Sequence, residues 1–169
     1  MNRNIIFMDG EFAKLKPDGI DLLSIALIKP TGEELYLELD YKGKVDPWVK
    51  ENVVPKLNQE KASKKEVVKL IKKFVGNDKP YLVSHVNQFD WMGICKLFGA
   101  NDVKGIAELP FQWVPIDFAG ILFGKGIDIG KLKLEGVAKK YNIDTSKMEK
   151  HNALDDTRLL KKVYERIMN

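Results

Sequence analysis

The chain has 169 residues, of which 44% are apolar and 31% charged, with a formal net charge of +4. That is the size of one compact domain able to bury a core, so residues 1–169 are expected to form a single domain. No segment approaches the roughly 18 unbroken apolar residues of a membrane span, which argues against a helical membrane protein.

Three apolar or alternating runs come first, at 4–12, 20–29 and 33–41, separated by KLKPDG and KPTG, which supply the Pro, Gly and Asp of tight turns. They read as an antiparallel meander. DLLSIALI is apolar throughout, as in a strand covered on both faces, whereas ELYLELDY alternates with period two. DPWVKENVVPKLN reads as a connector. Ser63 followed by Glu66 forms a capping box that opens a helix with Val67, Ile71, Phe74 and Val75 on its apolar face, closed by Gly76.

YLVSHV (81–86) predicts a strand, followed by a short helix from about Asp90 to Phe98 that Gly99 stops. WVPI predicts a further short strand, with Asp117 as the N-cap of DFAGILF. GILFGKGIDIG lacks the GKS/T ending of a phosphate-binding loop and reads as a surface loop. A helix over 132–142 and a final helix capped by Asn152 complete the chain. The order predicts an α/β fold in which three antiparallel strands are followed by strands joined through helical crossovers.

Cys95 is the single cysteine and sits in an apolar helical run, where core packing is expected. No internal disulfide can form, and MNRNIIFMDGEF is too short and too acidic for a secretory leader, so a cytoplasmic location is expected. Lysines cluster in KASKKEVVKLIKK, in KLKLEGVAKK and in the last helix. A solvated helix face and a surface for RNA or DNA account for them equally well.

The acids carry the chemistry. Alternation along a strand points Asp9 and Glu11 to one face, and two like charges held there repel unless the strand has simply ended in water. Asp90 falls at a strand-to-helix junction, where it can cap its helix or converge on a site. HNALDDT puts His151 just outside the last helix, free to fold back, with Asp156 in its first turn or so and Asp155 available for helix-end capping. His85, between apolar neighbours, reads as a hydrogen-bonded core histidine. Four carboxylates without basic partners in their motifs are stable together only if cations join them. Hard oxygen donors and few histidines favour Mg²⁺ or Mn²⁺ over structural zinc. Two such ions suit an in-line displacement at a phosphate.

In this order, DxE (Asp9, Glu11), FD (Phe89, Asp90) and HxxxxD (His151, Asp156) resemble the three motifs of the DEDDh 3′–5′ exonucleases. IDFAGILF resembles the Ile-Asp-Thr segment of these enzymes, and LKLEGVAKKYNI the helix before their third motif. More narrowly, DGEF, SIALI, DPWVKENVVPKLN, FDWMGICKLFGA and HNALDD resemble the small exoribonucleases described in mycobacteria as RNase AS, relatives of RNase T also found in phages. The resemblance implies a ribonuclease H-like mixed sheet of order 3-2-1-4-5, two divalent ions per site, a homodimer, and trimming of single-stranded RNA 3′ ends, adenylate-rich ones in that subfamily. DNA is the alternative substrate, and a nucleic-acid-binding module without catalysis a more distant one. Carried onto this chain, the roles are Asp9 bridging both ions, Glu11 and Asp156 holding the ion on the nucleophile side, Asp90 supporting the second, and His151 as general base. Phe12 and Trp91 are candidates for base stacking, with core packing as the alternative for each.

Overall fold

The computed structural model describes residues 4–14, 20–128 and 133–168. Much of the first turn, KLKPDG, the end of GILFGKGIDIG and the start of KLKLEGVAKK therefore lie outside the described residues. Among the described residues six strands form one mixed sheet: β1 (Ile5–Phe12), β2 (Leu22–Ile28), β3 (Glu34–Leu39), β4 (Lys61–Ala62), β5 (Tyr81–Ser84) and β6 (Ile116–Asp117). Their spatial order is β4-β3-β2-β1-β5-β6. β1–β2 and β2–β3 pair antiparallel, while β3–β4, β1–β5 and β5–β6 pair parallel. Apart from the two-residue β4 at one edge, this is the expected order 3-2-1-4-5.

The strand faces sort the core into two layers. Ile6, Met8, Ile25, Leu27 and Leu82 pack with α2 (Lys64–Val75) and α3 (Gln88–Phe98). Ile5, Phe7, Ile28 and Val83 pack with α5 (Phe118–Gly124), α6 (Leu134–Lys140) and α7 (Ala153–Met168). β2 is buried at every residue because it is covered on both faces and paired on both edges. Odd-numbered β1 residues face α7, so a strand that buries Ile5 and Phe7 presents Asp9 and Glu11 on that same side.

Helix ends follow the local chemistry. Ser63 Oγ accepts the Glu66 N–H at 3.3 Å, opening α2. α3 ends at Gly99, whose φ of 72° a side chain would oppose. Asn152 Oδ1 accepts the N–H groups of Leu154 and Asp155, fixing the start of α7.

Several expected boundaries shift. The connector 46–58 contains α1 (Pro47–Asn52), with Pro47 in its first turn where a missing N–H costs nothing, and a 3-10 turn at Val54–Lys56. Another short helix, α4 (Val103–Ala107), starts at Asp102, which accepts the Gly105 N–H at 2.7 Å. Both helices are too short to show a hydrophobic period. β5 stops at Ser84 because Val86 turns to φ 59°, and α3 consequently starts at Gln88, two residues early. Trp113 and Val114 lie exposed ahead of β6, which is only Ile116–Asp117. Among the described residues no helix is long and apolar enough to cross a membrane.

Candidate active site

The acids meet at the C-terminal end of β1. Asp9 and Glu11 come from β1 and Asp90 from the first turn of α3. Asp156 comes from the first turns of α7 and His151 from the turn before it. All five line one cavity of about 240 Å³. Two other cavities, of about 150 and 320 Å³, hold no comparable set of acids.

Gly10 lies between the two strand acids, beside Asp90. A Cβ there would lie 2.7 Å from Leu22 Cδ2 and 3.4 Å from Asp90 Oδ1. The tight contact is thus with Leu22, and Asp90 lies against the β1 backbone, toward the Gly10 N–H. Asp90 is buried, at 4% exposure, and does not cap α3, whose N-cap is Asn87. The turn leading to it is held by Asp117, whose Oδ1 accepts the N–H groups of Val86 and Asn87 at 3.0 and 3.3 Å. The same carboxylate caps α5 through Ala119 and Gly120, as expected.

His151 sits at φ 57° and donates its backbone N–H to Asp156 Oδ2 at 3.0 Å. That hydrogen bond folds the turn onto the start of α7 and brings the imidazole to the acids. Ligand atoms of Glu11, His151 and Asp156 all lie within 4.8 Å of one another. Asp9 and Asp90 stand outside that trio on the same cavity wall.

Their electrostatics follow from crowding. Burial first, and then the charges of Asp90, Asp156 and Glu11, push the Asp9 carboxyl well above the usual range. Burial also raises Asp90, with the Ser84 hydroxyl and the Gly10 N–H offsetting part of the effect. Glu11 is pushed up to about 8, by burial and then Asp156, and Asp156 to about 6, by burial and then Glu135. His151 is pushed down by burial and by the Lys56, Lys133 and Lys150 cations, against Glu135. Carboxylates this crowded gain from a cation between them, and the donor set, four acids with one imidazole, suits a hard or borderline divalent ion.

Other residues join the site without having been singled out by their motifs. His85 is not a hydrogen-bonded core histidine: it lines the cavity, its Nδ1 is buried without a hydrogen-bond partner among the described residues, and burial pushes its imidazole down. Its apolar flanks hid it, although its parity with Val83 places it on the α7 side. Lys56 lowers the carboxyls of Glu11 and Asp156 and donates to the Lys150 carbonyl next to His151. Trp48 meets the His151 ring edge-on, at 5.0 Å and 88°. Nothing in DPWVKENVVPKLN signals either contact, because both depend on where the connector folds.

Phe12 is buried, at 8% exposure, in the α2–α3 core, and its ring would meet a Cβ on Gly93 at 3.0 Å, while one side still borders the cavity. Trp91 is half-buried against the same core and Phe89 borders the cavity. Asp155, beside Asp156, accepts the Glu149 N–H at 2.9 Å and pairs with Arg158.

The likeness to solved structures is to exonucleases. No protein-family profile and no curated protein matches the chain. Among solved structures, the chain is similar to a 3′-exonuclease that recognises the histone mRNA stem-loop (TM-score 0.66, 13% identity, 97% of this chain and 80% of that one). It is similar also to Exonuclease I from Methylocaldum szegediense (TM-score 0.72, 16% identity, 96% of this chain and 40% of that one). A third is E. coli Exonuclease I in complex with a dA16 oligonucleotide (TM-score 0.69, 17% identity, 96% of this chain and 41% of that one). The chain thus shares their fold, the expected ribonuclease H-like mixed sheet, and spans about two fifths of the Exonuclease I chains.

Proposed function

We propose that this chain is a metal-dependent 3′–5′ exonuclease that hydrolyses the terminal phosphodiester of single-stranded nucleic acid, RNA in the first place. The observation that carries the reading is the gathering of Glu11, His151 and Asp156 within 4.8 Å, beside Asp9 and Asp90, in a fold shared with exonucleases. A site for one isolated acid would not raise several carboxyls together.

In this reading Asp9, Glu11, Asp90 and Asp156 would hold the ions, Asp9 serving both, Glu11 and Asp156 the one that serves the nucleophile and Asp90 the second. Two Mg²⁺ or Mn²⁺ ions, when bound, supply the positive charge that displacement at phosphorus requires. His151, kept unprotonated near neutral pH by its surroundings, takes the proton of the attacking water. Its backbone N–H on Asp156 aims the imidazole at the same carboxylates. The bond from phosphorus to the penultimate 3′ oxygen breaks as the water oxygen bonds to phosphorus, and the departing oxygen takes a proton from solvent water.

RNA is favoured by the motifs shared with the small exoribonucleases of the RNase AS type, which also suggest an adenylate-rich end, a homodimer and a cytoplasmic setting. DNA is the second reading, favoured by the likeness to an Exonuclease I that holds dA16. Matched RNA and DNA strands labelled at the 5′ end, incubated with Mg²⁺, Mn²⁺ or chelator, test both. Stepwise shortening of RNA from the 3′ end, lost with chelator, is expected; preferential shortening of DNA selects the second reading, and no metal-dependent shortening of either strand removes the proposal.

A further inference from the structure

Glu38 is a buried acid outside the acidic cavity. It lies in β3 at 1% exposure, on the sheet face that carries Glu11, since Glu11 is level with Ser24 on β2 and Ser24 with Glu38. Its Oε1 accepts three hydrogen bonds, from the Asn58 N–H at 2.8 Å, the Gln59 N–H at 3.0 Å and the Tyr36 hydroxyl at 3.0 Å. Its Oε2 is buried without a hydrogen-bond partner among the described residues. Burying a carboxylate is costly, and Asn58 and Gln59 are exposed residues whose N–H groups water could satisfy. What the charged acceptor adds is a turn held by charge-assisted bonds, and that turn begins two residues after Lys56. Ahead of Lys56, buried Val53 fixes the 3-10 turn Val54–Lys56, its carbonyl accepting the Lys56 N–H at 2.9 Å. With both flanks tied, Lys56 extends its ammonium to the Lys150 carbonyl beside His151. Among the described residues it forms no ion pair with Glu11 or Asp156. Lys133 and Lys150 bear on His151, whereas Lys56 bears on His151 and on both acids.

We infer that Glu38 is a positioning residue of the acidic site: by clamping the turn after Lys56 it holds that ammonium as a fixed counter-charge against which divalent ions must bind. The inference rests on the reading that these acids hold such ions. A lysine is a point charge on a flexible four-carbon stem, and on a slack connector it would turn out to water. Held in place, it stays near enough to the carboxylates to repel an incoming cation without pairing with them. Free ions are thereby bound less tightly than the acids alone would bind them. A strand end, whose phosphate brings negative charge of its own, counters Lys56, so that ion uptake and substrate uptake favour each other.

Calorimetric titration of Mn²⁺ into the chelator-stripped chain tests the inference without turnover. Lys56→Met is expected to bind Mn²⁺ about three- to tenfold tighter than wild type, because a like charge has left the acids. Glu38→Ala is expected to tighten binding as well, by releasing Lys56, and to add nothing in the Lys56→Met background. Damage to the fold alone would act in the opposite direction and in both backgrounds. Glu38→Gln keeps an oxygen for the two N–H groups and is expected to match wild type; if Glu38→Ala does not fold, Lys56→Met and Glu38→Gln decide. Three results overturn the positioning role and leave the exonuclease reading intact: no tightening in Lys56→Met or in folded Glu38→Ala, a Glu38→Ala gain that persists without Lys56, or an altered affinity in Glu38→Gln. A wild type and a Lys56→Met chain that both take up no Mn²⁺ remove the inference and the exonuclease reading together.

Discussion

Two neighbouring residues of α7, Asp155 and Asp156, face opposite electrostatic worlds. Asp155 is enclosed by donors: the Glu149 N–H at 2.9 Å and Arg158 Nη1 at 2.9 Å, with Arg158 also reaching Glu34 through Nε at 2.9 Å and Nη2 at 2.6 Å. Asp156 accepts one backbone N–H and otherwise looks onto Glu11, His151 and the β1 acids, and its carboxyl rises to about 6. The first arrangement is a charge network that ties α7 to β3 and closes on itself. The second is open, with negative charge that Lys56 offsets only in part. A helical step of about 100° is enough to separate scaffold from site.

The contrast breaks most visibly in Asp156→Asn. Turnover is expected to fall by about 10³-fold or more, the scale on which losing a group that acts on the transition state is felt. The metal-free Tm is expected to stay level or rise, because a repelling carboxylate is gone. Asp155→Asn, in parallel, is expected to keep turnover within a few-fold. Equal losses in the two variants would erase the distinction. His151→Ala comes next, with turnover expected to drop by about 10² to 10⁴ while calorimetry still registers Mn²⁺ on the carboxylates; a near-normal rate would take the proton-accepting role from His151.

Gly10→Ala sharpens the site side of the contrast from beneath. The new methyl meets Leu22 at 2.7 Å and Phe12 at 3.3 Å, so chemical denaturation is expected to reveal a loss of about 1–3 kcal/mol. Asp90 Oδ1, 3.4 Å from the new methyl, keeps an ordinary contact, so the loss is expected to come from the Leu22 and Phe12 packing; an unchanged denaturation midpoint would mean that those side chains repack without cost.

Proton linkage gives a smaller effect with a definite sign. Glu11 titrates at about 8 and Asp156 at about 6 in the folded chain, above their ordinary 4.5 and 3.8, so the folded state holds more protons between these limits. Metal-free stability is therefore expected to decline as pH rises from about 5 to about 8, and saturating Mg²⁺ or Mn²⁺ to flatten the decline. Thermal melts across that range, with and without metal, check it; a metal-free Tm that rises with pH contradicts the crowding. Smallest of all, Arg158→Ala on the scaffold side is expected to cost about 1 kcal/mol or less, since its partners are partly exposed. Denaturation of this variant at low and high salt measures it.

Much of this was legible in residue order. Period-two spacing in MDGEF put Asp9 and Glu11 on one face, and the Asn152 cap left His151 outside the last helix. Apolar DLLSIALI marked a strand covered on both sides. What failed were elements held by distant partners: β4 pairs through Lys61 and Ala62 with Glu38 and Leu39, and α1 through Val49 with Leu23. His85 failed for a related reason, since its neighbours describe a core while its own ring turns toward the acids.

The sequence by itself determined which residues alternate, which helices are capped and which acids lack local partners, because these depend on contacts within a few residues. Only the tertiary structure decided that Asp90 passes beside Gly10, that Val86 in a left-handed turn ends β5, and that Trp48 and Lys56 arrive at His151 from about a hundred residues away in the chain. Those placements depend on packing two helical layers onto one twisted sheet, and neither propensity nor periodicity encodes the distance between segments that far apart.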